Sequence, residues 1–167
     1  MDELIEEFSE YFPLNSGDPL TKNYIEHHFQ HLYKCIENEL YTSAFVHVHI
    51  LYMTFIYTQL LRIAEAKKIE FSYCWIGLQS NEKDFLKDPS SPFAFKKVNE
   101  KTVFRFFRLL NFDDSIIGNI SKCVNDRNDI LHANGVIKFA SQQDFETYVN
   151  LYINNMDQII KKEEKFL

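Results

Sequence analysis

The segment Asn125-Asp126-Arg127-Asn128-Asp129-Ile130-Leu131-His132-Ala133-Asn134-Gly135 brings a guanidinium, an amide and an imidazole close together in the chain. These groups can hold a phosphate and move a proton. A guanidinium forks onto phosphate oxygens and keeps its charge, and an imidazole exchanges protons near neutral pH. The segment reads as the end of a helix. Ile116, Ile120, Cys123 and Val124 recur at helical spacing and Leu131 continues that face, while Gly118, Ser121, Lys122, Asn125 and Asp129 lie opposite. Arg127 falls in register with the apolar residues. A desolvated guanidinium without partners is costly, so Arg127 must reach an edge, pair with a carboxylate or line a polar cleft. His132 follows Asn128 by one helical turn, so the two share a face. Asn134-Gly135 supplies the left-handed residue that closes a helix. His132 is therefore placed near a helix C-terminus, where the dipole favours a cation. Asp126 and Asp129 are read as holding Arg127 or facing solvent.

The elements that must position these groups are helical throughout. Asp2–Phe12 is a short acidic amphipathic segment. Asp18-Pro19 is an N-cap followed by proline at the first helical position, and the helix it opens carries Ile25, His28, Phe29, Leu32, Tyr33, Ile36 and Leu40 on one side. Thr42 or Ser43 caps a longer helix that runs to about Lys68 and forms the spine of the fold. Its apolar stretch, Ala44–Ile63, is interrupted by His47, His49, Thr54, Thr58, Gln59 and Arg62, which makes a central bundle helix the default over a membrane span. Phe71–Lys97 contains Gly77, Ser80-Asn81, Asp88-Pro89 and Ser90-Ser91-Pro92 among Tyr73, Trp75, Phe85, Phe93 and Phe95, and reads as an irregular aromatic-rich insertion, about 71–98. Asn99 or Thr102 starts a helix to Leu110, with Val103, Phe106, Phe107 and Leu110 inward. Asp113 or Asp114 caps the Arg127 helix, and Ser141-x-x-Asp144 opens the last one, whose stripe is Phe145, Tyr148, Val149, Tyr152, Ile153, Met156, Ile159 and Ile160. The expected architecture is all-α: one domain over 1–167, a bundle of four main helices with extra short helices and one insertion.

Composition narrows the function. A net charge of −6 argues against a surface that coats nucleic acid, while Lys96, Lys97, Lys101, Arg105 and Arg108 form one positive stretch. Within it Lys101, Arg105 and Arg108 are the candidate RNA-contacting residues, against the usual reading of a solvated helix face. Cys35, Cys74 and Cys123 are odd in number, far apart and outside any CxxC, which favours a reducing, cytoplasmic setting. Nucleotide-binding glycine loops, serine-hydrolase elbows and common zinc motifs are absent from the sequence. His27 and His31 are one turn apart and could share a metal, yet no third ligand stands near, so a solvated face is the reading and no metal or cofactor is expected. His47 and His49 lie on different faces of the spine helix, as core or interface histidines. Tyr73, Trp75, Phe93 and Phe95 are read as anchoring the insertion, with base stacking as the alternative.

Arg127-Asn128-Asp129-Ile130-Leu131-His132 resembles the Arg-x(4–6)-His signature of the HEPN superfamily, including the polar residue that often follows the arginine. By helix order the resemblance extends over about 120 residues, and by motif over about nine. It implies an all-α bundle and a metal-independent endoribonuclease, of the kind found as toxins, CRISPR effectors and phage-defence proteins. Arg127 and His132 would be catalytic, with Asn128 orienting His132 or binding phosphate. The products would be a 2′,3′-cyclic phosphate and a 5′-hydroxyl. One chain offers one His132 and two chains offer a base and an acid, so a homodimer is expected as well. Two competitors remain. One is a catalytically silent HEPN-like module that dimerises or binds a partner such as an antitoxin or regulatory protein. The other is an unrelated helical scaffold or small-molecule binder.

Overall fold

The computed structural model describes residues 1–12, 18–73, 78, 80, 83, 86, 89–132 and 139–167. Every regular element among them is helical. In order these are α1 (Asp2–Ser9), α2 (Pro19–Glu37), α3 (Tyr41–Ala66), α4 (Lys68–Tyr73), a 3₁₀ helix (Pro92–Lys97), α5 (Glu100–Val103) continuing as a 3₁₀ helix (Phe104–Leu110), α6 (Asp114–Leu131) and α7 (Gln142–Phe166). The chain divides into two compact units, one of Met1–Phe55 with Asn125–Asp157 and one of Ile56–Val124 with Gln158–Leu167.

The helix starts follow local chemistry. Asp18 accepts the Leu20 and Thr21 N–H groups at 3.1 and 3.3 Å, with Pro19 as the first helical residue. Asn99 caps α5 through the Lys101 N–H at 3.0 Å, and Asp113 caps α6 through the Ile116 N–H at 2.8 Å. Ser141 accepts the Asp144 N–H at 3.2 Å and donates its own hydroxyl to the Asp144 carboxylate at 2.7 Å, a capping box with aspartate in the glutamate position. The spine helix departs from expectation. It begins at Tyr41, so Thr42 and Ser43 lie inside its first turn, and it ends at Ala66 before the separate α4. The stretch 99–110 is also divided, one α turn passing into tighter 3₁₀ turns that end at Asn111 in the left-handed region (φ 56°).

In the first unit, α1 and α2 meet through phenylalanines. The ring of Phe12 lies 5.3 Å from Phe8 and 5.4 Å from Phe29. Phe45 of α3 stacks on Phe139 at 4.3 Å, and Val149, Tyr152, Ile153 and Met156 of α7 are buried. α3 is long and apolar enough to cross a membrane by length and composition, but 72% of its most apolar 18-residue window is buried inside the protein, as in a core helix. In the second unit Phe71 of α4 stacks on Phe106 at 5.1 Å, and Phe95 is fully buried against Tyr57 at 6.0 Å. Phe95 therefore anchors the insertion, as its apolar ring favours, while Tyr73 is exposed. Trp75, Phe85 and Cys74 lie outside the described residues.

Leu40 and Leu131, placed inward by periodicity, are exposed at 54% and 56%, and Tyr33 is also exposed. Leu40 lies between the end of α2 and the start of α3, and Leu131 is the last residue of α6.

Candidate functional site

The last two turns of α6 carry the predicted site, and a buried carboxylate anchors them. Asp126 is 7% exposed and accepts a hydrogen bond from the Tyr148 hydroxyl of α7 at 3.1 Å. The Tyr148 ring is held edge-on against Phe139 at 4.7 Å and against Phe45 at 5.7 Å. An acidic group that the sequence assigns to Arg127 or to solvent thus also ties the helix end to the aromatic core. A carboxyl group taken out of water needs donors in place of its lost hydration, and a phenol supplies one here.

Arg127 and Asn128 are half-buried and His132 is exposed. His132 follows the last residue assigned to α6, but its N–H donates to the Asn128 carbonyl at 2.9 Å. The helical hydrogen-bond ladder therefore runs through His132 and keeps it one turn from Asn128. Arg127, in register with Cys123 and Val124, is half-buried, with its Nε out of contact with water. The Asn134-Gly135 stop falls outside the described residues.

The candidate RNA-contacting residues belong to the other unit. Lys101, Arg105 and Arg108 are all exposed and recur at helical spacing. Arg108 is committed elsewhere: its Nε and Nη2 donate to one Asp114 oxygen at 3.1 and 2.7 Å. Lys162 donates to the Asn111 carbonyl at 2.7 Å with its ammonium 4.4 Å from the centre of the Phe112 ring.

A second group of side chains was only partly visible in the sequence. His27, His28 and His31 of α2 gather with His47 of α3. Nδ1 of His28 lies 3.0 Å from Nδ1 of His47, the His31 ring stacks on His47 at 5.5 Å and 14°, and the His27 and His31 rings are 4.4 Å apart. Burial, reinforced by the neighbouring imidazoles, pushes His28 down to about 4 and lowers His47 as well. Helical spacing groups the first three, but the register of α2 against α3, which brings in His47, is a tertiary property with no local signal. His49, two residues on, is buried and pairs its Nδ1 with the Tyr152 hydroxyl at 2.9 Å. Among the described residues no group of three or more His, Cys, Asp or Glu is arranged to hold a metal ion.

A comparison of the chain with family models, with curated proteins and with solved structures finds no match.

Proposed function

We propose that the end of α6 is the active site of a HEPN-type endoribonuclease, acting as a homodimer and serving as a toxin or phage-defence component. What supports this reading is one placement: exposed His132 stands a single helical turn from Asn128, with half-buried Arg127 beside it, on a helix end fastened by the Asp126–Tyr148 bond.

In the proposed reaction one His132 imidazole takes the proton of a ribose 2′-hydroxyl. The 2′-oxygen attacks the adjacent phosphorus, and the bond from phosphorus to the leaving 5′-oxygen breaks. The second protomer's His132, protonated beforehand, gives its proton to that oxygen. Arg127 neutralises the charge that builds on the phosphorane, and Asn128 orients the imidazole or a phosphate oxygen. The products are a 2′,3′-cyclic phosphate and a 5′-hydroxyl, and no metal enters any step.

Labelled single-stranded RNA incubated in EDTA with wild-type protein and with His132→Ala tests the assignment. The expected outcome is cleavage to cyclic-phosphate ends by wild type, reduced by about 10²-fold or more in the folded variant. Well-folded wild type that cuts none of a varied RNA set would overturn the nuclease and leave a partner-binding module of the same fold. Cutting that requires a metal and survives His132→Ala would place any activity elsewhere.

A further inference from the structure

The geometry points to an acid-opened clasp between α2 and α3, in which His28 and His47 hold the helices together as a neutral imidazole pair and protonation of both rings releases α2. An Nδ1–Nδ1 approach of 3.0 Å is a hydrogen bond only if one nitrogen carries a proton and the other offers a lone pair. A first proton on the pair leaves an N–H to donate and a lone pair to accept, so the bond survives. A second puts two N–H groups face to face and two positive charges on adjacent rings, and the bond is lost.

The surroundings make the second proton costly. On α2 the Tyr24 ring lies 4.5 Å from His28, and the His27 ring 5.3 Å from it. On α3 the facing group is His47 itself, and His31 stacks on it from α2. Among the described residues the charges that act on His28 are those of His47, His27 and His31, and those on His47 are His31 and His27. All are imidazoles, so acid adds like charge to like, and no carboxylate in that set offsets it. The same burial that holds His28 down to about 4 keeps the clasp shut at neutral pH.

The clasp lies beside, not within, the apolar stripe of α2, since Ile25, Phe29 and Leu32 are buried while His27 is exposed and His28 and His31 are half-buried. Opening thus starts in one turn of α2. The whole helix is freed only as far as that turn supports the phenylalanine contacts of Phe29.

Hydrogen exchange of the intact chain, corrected for intrinsic rates and followed from about pH 7 to about pH 4, reads the opening helix by helix. Protection across α2 is expected to fall at least about tenfold further than protection across residues 142–157 of the same unit. The double variant His28→Gln/His47→Gln, which keeps a neutral hydrogen-bonding pair, should lose that difference. His31→Gln is the milder companion should the double variant not fold. It removes one neighbouring imidazole whose charge opposes protonation of the pair, and the NMR titration midpoints of His28 and His47 should rise. Three results would overturn the clasp: equal loss of protection in α2 and 142–157, an unchanged acid response in the double variant with unmoved midpoints in His31→Gln, or stoichiometric Zn²⁺ at neutral pH protecting α2 and shifting both ring signals. The last would make the pair a metal site.

Discussion

The two units hold their helices with different chemistry. In the first, helix contacts carry polar rings as well as apolar ones: His28 to His47, His49 to Tyr152, Tyr148 to Asp126, and Tyr11, whose hydroxyl donates to Asp157 at 2.6 Å. In the second, phenylalanines do most of the holding, with Phe71, Phe95, Phe104, Phe106 and Phe107 all buried, and among the described residues the buried carboxylate is Glu163. A polar clasp selects a single register, because a shifted helix leaves its donors and acceptors unpaired, but it also makes the contact answer to pH. An apolar contact does neither. The unit that carries the proposed active site is then also the one whose packing acid is expected to weaken.

The largest test of that contrast is Phe106→Ala. The ring is 1% exposed and stacks on Phe71 at 5.1 Å, so its removal leaves a cavity and should cost about 3–5 kcal/mol. Denaturant midpoints should fall by the same amount at about pH 5 and about pH 8, since nothing titratable is removed. A loss that varied strongly with pH would mean that charge, not apolar packing, holds the second unit. Tyr152→Phe probes the first unit at smaller scale. It deletes only the hydroxyl that meets the buried His49 Nδ1 at 2.9 Å, and losing that buried hydrogen bond should cost about 1–3 kcal/mol. A change within error would demote this contact from clasp to coincidence.

Much of this was legible from sequence wherever the signal is local. The caps at Asp18, Asn99 and Ser141 are short-range hydrogen bonds, and each falls where residue type places it. The stripe of α7 from Phe145 to Met156 is legible for the same reason: seven-residue periodicity reports one buried face. What failed depends on neighbours distant in sequence. Periodicity sends Leu131 inward, but at a helix end nothing obliges a partner to be present, and it is exposed. His47 reads from sequence as a core or interface histidine because its three companions sit on another helix. Asp126 gave no sign of its Tyr148 partner, 22 residues away. Within the site, the residue types and the turn that joins Asn128 to His132 come from sequence, and the anchoring of that turn does not.

Glu163 inverts the logic of His28. Both are pushed towards the neutral form by burial, but the neighbours of His28 add to that effect while the larger neighbouring charge on Glu163 opposes it: Arg62 Nε lies 3.5 Å from Glu163 Oε1, and Glu164 adds a smaller push the other way. Burial wins, and the carboxyl is pushed up to about 7 from an ordinary 4.5. Arg62 is 54% exposed and hydrated, so its attraction is screened, whereas Glu163 is almost fully out of water. The sign follows. The folded chain keeps this proton up to about pH 7 and the unfolded chain releases it above 4.5, so the contribution is fully present below 4.5 and is lost as pH rises through 7. Glu163→Gln keeps the shape and cannot ionise. It should be nearly silent at about pH 4 and raise the melting temperature at about pH 8 by a few degrees, with about 1 kcal/mol worth about 2–4 °C in a chain of this size. The same acidification that weakens the histidine pair of the first unit should thus strengthen the second. A Glu163→Gln protein that melts lower than wild type at about pH 8 would show the Arg62 pair outweighing desolvation, and the two units would then differ in their packing and not in how they answer to protons.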